Sequence, residues 1–504
     1  MITNVSQYVD VAARRTPEKV AFSNGTRSMT YKELRKAATN LASKILDLSP
    51  SGSRVLVLMD RTPEMVAAMF GLWYAGDCVV PVDAALPLAR IQSMARRSNA
   101  RIMIYDERYA HIACSIEGVV SIAYTDAIFE QNDDGRIERI QQRAVDTDPA
   151  YIIFTSGSSG EPKGTVSSHR CLINFAEALC DELDYKDDYI LAGQTPLYYI
   201  ASLHDIMPGV RLGLTVYLLP NEILLFPIRI VDFLFNNRIN VLSVVPSVLS
   251  RFAAYVDFDK HPLPDLKCIL YGGESLSTEK MKRLINGLPQ ATICCCYGLT
   301  EVTTTSCLWK SNTRPLDDDE VVPIGYPLKN TKIFLLDENE QESWSEGEVC
   351  FAGACLASGY YNDSEQTHNR FCQNPLHDSY PEMIYRTGDI AKYNRYGELV
   401  FVGRKDSQIK RGGHRIELGD IEAVALQNPA IDLVCCVFLK ESEKIDLCYT
   451  GSISDGELLA FIKLNLPSYM VPTRIIQVEK MPLLSNGKIN RKEVFEIVKR
   501  EEGV

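Results

Sequence analysis

Helix and strand signals alternate through the first third of the chain, and this alternation limits the possible folds more than any other feature. Short apolar runs at 55–58, 78–82 and 101–105 predict buried strands, and the segments 63–74 and 88–97 between them predict helices. Repeated strand–helix units predict a parallel sheet with helices on both faces. The alternation resumes between about residues 170 and 300.

Local cap chemistry supports the first predicted helix. Thr30 and Glu33 have the spacing of a capping box, in which the side chain of each residue accepts a hydrogen bond from the backbone N–H of the other. Apolar residues follow at helical spacing, namely Leu34, Ala37, Ala38, Leu41, Ala42 and Ile45.

The chain has 504 residues, and a single core seldom grows past roughly 250–300 residues, so we expect at least two domains. Residues 320–405 are richer in strand signals and glycine. Predicted helices at 420–427 and 457–466 and strands at 433–439 and near 447 resemble a separate small unit. We therefore predict an α/β fold with a large N-terminal domain (1–405) of parallel-rich sheets, a β-rich subdomain (about 320–405) and a small, mobile α+β C-terminal domain (406–504).

Composition excludes some classes of function. The formal net charge of −12 argues against a nucleic-acid partner, which normally requires a basic face. The 15 cysteines are odd in number and form no CxxC pair, so we expect reduced, mostly buried thiols in a cytoplasmic protein. We find no signal-peptide pattern and no apolar run long enough for a membrane span.

A glycine- and hydroxyl-rich segment, TSGSSGEPKG at 155–164, follows the apolar run 151–154. Glycine lets backbone amides approach an anion closely, and hydroxyls with a lysine can bind phosphate oxygens. The segment is neither a Walker A loop nor a nucleophile elbow, and a flexible surface linker is the alternative. The candidate phosphate-binding residues are Thr155, Ser156, Gly157, Ser158, Ser159, Gly160 and Lys163.

Seven further motifs occur along the chain. They are YAGDCVVPVDAALPLARI (74–91), YGGE (271–274), YGLTE (297–301), GEVCFAGACLASGYYN (347–362), YRTGD (385–389), GRKDSQIKRGGHRIELGDIE (403–422) and NGKINRK (486–492). Together with YIIFTSGSSGEPKGT, they resemble in order and spacing the adenylate-forming superfamily of acyl-CoA synthetases, luciferases and peptide-synthetase adenylation domains. The resemblance covers essentially the whole chain. The form of the 403–422 segment is more similar to peptide-synthetase and D-alanyl-carrier ligases than to acyl-CoA synthetases.

The resemblance implies an ATP site. Asp389 would accept hydrogen bonds from both ribose hydroxyls, since a carboxylate has enough lone pairs, and Arg404 would contact the ribose. Tyr297 would stack on the adenine. In the YGGE motif, Gly272 and Gly273 would leave room for the base edge, and Glu274 would belong to the same nucleotide-binding set. Taken alone, each of these would be interpreted as a turn, core or surface residue.

The resemblance also implies catalytic roles. Thr300 would bind the α-phosphate, and Glu301 would bind Mg²⁺, a hard cation that prefers oxygen ligands and substrate phosphates. Lys488, otherwise a solvated charge, would be the catalytic lysine that bridges the acid and the nucleotide while charge builds up on phosphorus. Asp406 would be the hinge about which the small domain rotates between two half-reactions.

The acid pocket departs from the pattern of amino-acid-activating members. Ile200 stands where their aspartate would hold the substrate's α-ammonium, and an apolar side chain cannot neutralise that buried charge. Either Asp205 or His204 reaches the amine after a local shift, or the substrate carries its amine elsewhere or has none, as in keto, hydroxy, aryl or short aliphatic acids. The other pocket positions are Ala201, His204, Ser243, Leu270, Gly272, Cys296, Thr304 and Thr305.

Three functions follow as hypotheses. The first is a stand-alone adenylation enzyme that loads a phosphopantetheinyl carrier protein, expected because the chain ends shortly after Lys488. The second is an acid–CoA ligase, which the lack of an obvious basic cluster for the CoA nucleotide disfavours. The third is a non-catalytic nucleotide-binding scaffold or sensor, which the joint presence of Lys163, Glu301, Asp389 and Lys488 disfavours.

Overall fold

The computed structural model describes residues 1–127, 134–155, 161–318, 320–405, 408–483 and 489–502. The chain divides into two compact units. The first unit comprises Met1–Ala84, Arg97–Ile153 and Gly164–Lys405, and the second comprises Ala85–Arg96, Phe154–Lys163 and Asp406–Val504. The assignment of residues 1–405 and 406–504 to two functional domains stays a prediction.

The described residues form helices and strands in alternation. The helices are α1 (Ser6–Arg15), α2 (Tyr31–Leu48), α3 (Pro63–Tyr74), α4 (Leu88–Ser98), α5 (Ala110–Ala113), α6 (Tyr124–Ala127), α7 (Asp134–Arg143), α8 (His169–Leu183), α9 (Leu203–Leu212), α10 (Pro227–Asn236), α11 (Pro246–Tyr255), α12 (Thr278–Gly287), α13 (Ser364–Arg370), α14 (Leu418–Ala425), α15 (Asp455–Asn465) and α16 (Arg491–Glu502). The strands are β1 (Val20–Ser23), β2 (Ser28–Thr30), β3 (Arg54–Leu58), β4 (Cys78–Pro81), β5 (Ile102–Tyr105), β6 (Val120–Ala123), β7 (Pro149–Thr155), β8 (Lys163–Ser168), β9 (Ile190–Gly193), β10 (Thr215–Leu218), β11 (Val241–Val244), β12 (Cys268–Gly272), β13 (Thr292–Tyr297), β14 (Cys307–Lys310), β15 (Tyr326–Pro327), β16 (Thr331–Leu336), β17 (Glu346–Gly353), β18 (Phe371–Gln373), β19 (Met383–Tyr393), β20 (Leu399–Arg404), β21 (Gln408–Arg411), β22 (His414–Glu417), β23 (Ile431–Leu439), β24 (Lys444–Gly451) and β25 (Arg474–Gln477).

Three sheets contain the strands from β1 to β20. One has the order β15-β14-β13-β12-β11-β9-β10-β1-β2, and its central pairs from β13 to β1 are parallel. A second has the order β6-β5-β3-β4-β7-β8. The third is antiparallel, with the order β16-β17-β19-β18 and β20 paired to β19. The predicted α/β class and the β-rich subdomain are therefore confirmed.

Local signals explain where several elements begin. The capping box at Thr30 and Glu33 forms as predicted and opens α2. Thr62 accepts a hydrogen bond from the Met65 N–H, and Pro63 occupies the first turn of α3, where its missing N–H costs nothing. The predicted bounds of α3 are confirmed.

In the second unit, β21 and β22 form a hairpin, and β23, β24 and β25 form a small sheet. α14, α15 and this sheet share a core that includes Ile421, Leu447, Tyr449 and Ile462. The strands and helices predicted between residues 420 and 466 are present, with ends shifted by at most two residues.

All 15 cysteines are free thiols, and all except Cys114 and Cys372 are buried. Within the described ranges, no helix combines the length and apolarity needed to cross a bilayer.

Candidate functional site

Asp389 lies in β19 with its carboxylate buried, at 1% exposure. One carboxylate oxygen accepts a 2.6 Å hydrogen bond from the Tyr297 hydroxyl, and the other accepts from Arg404, its neighbour on β20. The Tyr297 ring stacks on Phe351. Burial and the adjacent carboxylate raise the pKa of Tyr297 well above its usual value, so its hydroxyl remains a donor. The structure thus brings together three residues predicted for the nucleotide site.

Thr300 and Glu301 begin a single helical turn shortly after β13. Glu301 is fully buried, and its Oε1 accepts a 2.8 Å hydrogen bond from the Tyr360 hydroxyl. The backbone carbonyl of Glu301 accepts from the Ala357 N–H at 2.9 Å. The carboxylate is therefore held in a fixed orientation inside the first unit.

The YGGE motif spans the end of β12 and the turn after it. A Cβ on Gly272 would lie 2.4 Å from the Cys296 carbonyl oxygen, so the two neighbouring strands require glycine there. Gly273 has a φ of +98°, and a Cβ on it would have open space around it. Glycine therefore serves backbone conformation at residue 273 and close packing at residue 272. Glu274, next in the chain, is half-buried.

Several predicted acid-pocket residues share one face of the large sheet. Ser243 on β11 is level with Leu270 on β12, and Gly272 is level with Cys296 on β13. Successive side chains of a strand point to opposite faces, so alternate positions of these parallel strands face the same side. The side chains of Ser243, Leu270 and Cys296 are all buried.

His204, at the start of α9, connects this face to the turn after β13. Its Nε2 lies 2.6 Å from the Thr305 hydroxyl and 3.2 Å from the Thr304 hydroxyl, and Thr305 also hydrogen-bonds the Cys296 thiol. Burial lowers the pKa of His204 from 6.5 to about 4, so the ring is neutral at physiological pH. His204 is thus a neutral hydrogen-bonding group.

The turn that carries these threonines is strained. Thr303 and Thr304 have φ of 51° and 67°, a left-handed conformation that is rare for β-branched residues. A Cβ on Gly298 would lie 1.6 Å from the Thr304 carbonyl oxygen, so glycine is required where the turn folds back. Such strain persists only where the surrounding structure enforces it.

Ile200 and Ala201 lie in a short helical turn ahead of α9. Ile200 is buried, at 8% exposure, in the same apolar cluster as Leu270 and Cys296, and Ala201 is half-buried. The next residue of interest, Asp205, is buried and hydrogen-bonds the Ser243 hydroxyl. The Asp205 carboxylate lies so close to Gly193 that any Cβ there would overlap it.

Two of the predicted phosphate-loop residues are described, and both belong to the second unit. Thr155 ends β7, and its buried hydroxyl has no hydrogen-bond partner among the described residues. Lys163 begins β8 and is buried, at 7% exposure. The remaining loop residues lie outside the described residues; they are Ser156, Gly157, Ser158, Ser159 and Gly160. Asp406 and Lys488 also lie outside them.

Sequence reasoning assigned no role to two residues in these contacts. Tyr360 lies within the 347–362 motif, which was the available signal for it. Arg61 had no signal: it is half-buried and donates to the carbonyls of Gly193 (2.5 Å) and Leu219, at the ends of β9 and β10. Burial lowers the pKa of Arg61 to about 10.

The residues present fit ATP and magnesium. Asp389 uses one lone pair on each oxygen and retains acceptor capacity for ribose hydroxyls. Thr155 belongs to the second unit, and its hydroxyl, taken by itself, is a buried donor of the kind that binds a phosphate oxygen. No group of three or more His, Cys, Asp or Glu side chains able to hold a metal occurs in the described residues. Mg²⁺ usually binds through one or two carboxylates plus substrate phosphates, and Glu301 stays the predicted protein ligand.

Comparisons with known proteins identify the family of the chain. The family model described as "AMP-binding enzyme" matches residues 9–361. Bacitracin synthase 1 of Bacillus licheniformis is 30% identical over 493 residues, which are 96% of this chain and 9% of that protein. Zwittermicin A synthase ZmaJ of Bacillus cereus is 30% identical over 511 residues, covering 98% of this chain and 94% of that protein. The chain spans only a small part of several large synthases that it matches.

Solved structures show the same fold. An artificially fused adenylation–PCP di-domain from Klebsiella oxytoca, NpsA-ThdA, aligns with a TM-score of 0.81 at 23% identity and covers 94% of both chains. A double mutant of o-succinylbenzoate CoA synthetase (MenE) from Bacillus subtilis aligns with a TM-score of 0.84 at 19% identity and covers 98% of both chains. The chain therefore belongs to the AMP-binding enzyme family, within the adenylate-forming superfamily and close to the adenylation domains of non-ribosomal peptide synthetases.

Proposed function

We propose that the protein activates a small carboxylic acid with ATP and passes the acyl group to the phosphopantetheine thiol of a carrier protein. The observation that carries this proposal is the buried cluster of Tyr297, Asp389 and Arg404, with the buried Glu301 in the same unit. β13 links the two features, because it ends at Tyr297 and leads into the turn with Glu301.

In the first half-reaction, an oxygen of the acid bonds to the α-phosphorus as the bond to pyrophosphate breaks. Asp389 holds the ribose and Thr300 donates to the α-phosphate. Glu301 holds Mg²⁺, which, when bound, neutralises charge on the phosphate oxygens. Lys488 stabilises the charge that develops on phosphorus, where a fixed ammonium is worth several kcal/mol. The protein need supply no nucleophile, only alignment and charge.

In the second half-reaction, the thiol sulfur bonds to the acyl carbon, the bond to AMP breaks, and the thiol proton passes to solvent. Support for a carrier-protein acceptor comes from similarity to peptide synthetases and to the adenylation–PCP di-domain. CoA is the other thiol to test.

The acid is proposed to lack an α-ammonium. Ile200 is buried in an apolar cluster, and an unpaired ammonium beside it would cost several kcal/mol. His204 is neutral and offers a hydrogen bond rather than a charge. Keto, hydroxy, aryl and short aliphatic acids fit these properties.

The test is ATP–pyrophosphate exchange over a panel of amino, keto, hydroxy and aryl acids, followed by addition of CoA or a carrier protein. We expect Lys488→Ala to abolish acyl-adenylate formation and to spare thiol transfer from supplied acyl-adenylate. Lys492→Ala, which removes an exposed lysine four residues later, is the matched control. Equal loss of both half-reactions in Lys488→Ala contradicts the assignment of Lys488. An absence of exchange with every acid favours a scaffold or sensor.

A further inference from the structure

Glu348 is a buried carboxylate on β17 that the proposed mechanism does not use. It is 5% exposed. Its Oε1 accepts a 3.0 Å hydrogen bond from the Gly388 N–H. Its Oε2 accepts from Arg386, from Nε at 3.2 Å and from Nη2 at 2.8 Å, and the Lys405 Nζ lies 3.8 Å away. A buried carboxylate is tolerated only when its oxygens are paired in this way.

These contacts surround an irregularity in the pairing of β17 with β19. Glu348 is paired with Ile390, but Cys350 is paired with Arg386. One β17 residue, Val349, therefore stands opposite the three residues 387–389 of β19. The extra length makes a bulge that redirects the chain just before Asp389.

Hydrogen bonds to the N–H and to the carbonyl of Gly388 fix the bulge. Gly388 has a φ of +75°, in the left-handed region that favours glycine. Its N–H donates to Glu348, and its carbonyl accepts from the Lys405 N–H at 2.8 Å. The Thr387 hydroxyl donates to the Val349 carbonyl and accepts from the Asp389 N–H at 2.9 Å. The backbone on both sides of the Asp389 peptide is thus oriented by named partners.

We infer that Glu348 is a positioning residue for the ribose subsite: by holding the Gly388 N–H and Arg386, it sets the direction in which Asp389 presents its carboxylate. The inference rests on the proposed role of Asp389 toward the ribose hydroxyls. A charged acceptor suits this task, because hydrogen bonds to an ionised group are shorter and stronger than neutral ones. Removing it leaves the buried Gly388 N–H without its acceptor and leaves the Arg386 guanidinium with Glu340 as its remaining carboxylate partner.

The experiment measures how strongly the ribose hydroxyls are recognised. Equilibrium binding of ATP and of 2′,3′-dideoxy-ATP is measured for wild type, Glu348→Ala, Glu348→Gln and Asp389→Ala. The quantity compared is the Kd for 2′,3′-dideoxy-ATP divided by the Kd for ATP. Glu346→Ala is the matched control, because Glu346 is an exposed glutamate two residues earlier on the same strand.

We expect wild type and Glu346→Ala to share one ratio. In Glu348→Ala the ratio falls by about 10-fold toward that of Asp389→Ala, the size expected for a hydrogen bond to a charged group. Glu348→Gln lies between them, because its amide oxygen still accepts from Gly388.

A uniform loss of affinity for both nucleotides with an unchanged ratio overturns the inference, since it would mark Glu348 as a purely structural residue. If Glu348→Ala fails to fold, the nearly isosteric Glu348→Gln decides alone, and a wild-type ratio in that variant is refuting. If wild type itself binds both nucleotides equally well, the ribose assignment of Asp389 fails, and the inference fails with it. A failure of the ribose assignment can be distinguished from a failure of the inference alone, because in the latter case wild type still binds ATP more tightly than 2′,3′-dideoxy-ATP.

Discussion

The buried carboxylate of Asp205 makes the stability of the first unit depend on pH. Asp205 lies on α9 at 3% exposure, against Gly193 and the Ser243 hydroxyl. Burial raises its pKa from 3.8 to about 7, while Arg61 and the hydrogen bond from Ser243 act in the opposite direction. Tyr185 also faces this carboxylate, and burial keeps its phenol protonated by raising its pKa.

The direction of this dependence of stability on pH follows from proton binding. The folded state holds the Asp205 proton more tightly than the unfolded state, so the stabilisation is complete below pH 4 and is lost progressively as the pH rises to about 7. The pKa difference corresponds to about 4 kcal/mol at 1.36 kcal/mol per pKa unit. For a unit of roughly 400 residues, this is a shift of about 5 °C in Tm.

The perturbation is Asp205→Asn, which keeps the shape and the acceptor for Ser243 and removes the charge. We expect the Tm of the variant minus that of wild type to increase by about 5 °C between pH 4 and pH 8, measured by differential scanning calorimetry. Asp188→Asn, which removes an exposed carboxylate, is the control and should show no such trend. Other raised carboxyl pKa values, as at Asp77, affect both proteins equally and cancel in the difference. Parallel Tm–pH curves for wild type and Asp205→Asn would refute the reasoning.

Three further predictions concern the proposed site. Tyr297→Phe removes the hydroxyl that donates to Asp389; steady-state exchange kinetics should show the KM for ATP raised roughly 5–10-fold with the KM for the acid unchanged, and a change confined to the acid would contradict this role. Glu301→Gln keeps an acceptor for Tyr360 but loses the charge, so exchange should fall roughly 100-fold and need more Mg²⁺; a wild-type Mg²⁺ dependence would exclude Glu301 as the ligand. Ile200→Asp should improve exchange with a simple α-amino acid, because the new carboxylate can pair with its ammonium; no gain would mean that residue 200 does not face the α-carbon.

Local signals predicted the elements of the fold well. The capping box at Thr30 and the first-turn proline at Pro63 each act within one helical turn, and both helices begin where those signals lie. Short apolar runs also predicted β3, β4 and β5 to within two residues. These successes share one cause: the interactions that decide an element's start join residues close in sequence.

Contacts between distant residues were not predictable in the same way. Tyr297 and Asp389 are 92 residues apart and Glu301 and Tyr360 are 59 apart, and neither pair has a local signal. Motif resemblance gave the residue types without their partners. The role proposed for Tyr297 toward adenine stays a prediction, and the structure adds a hydroxyl contact that the sequence did not suggest. Arg61 lay outside every motif, because its partners are backbone carbonyls, which any sequence provides.

The acid-pocket residues allow one more step of synthesis. His204 accepts or donates hydrogen bonds with two threonines and is neutral, whereas Asp205, the next residue, is a carboxylate that changes charge near pH 7. A substrate that brought an ammonium to Asp205 would lower that pKa, because an opposite charge favours the ionised form. Binding of such a substrate would then release a proton near neutral pH, whereas binding of a keto or aryl acid would not. Proton release on acid binding, measured by calorimetry in buffers of different ionisation enthalpy, therefore tests the proposal that the acid lacks an α-ammonium.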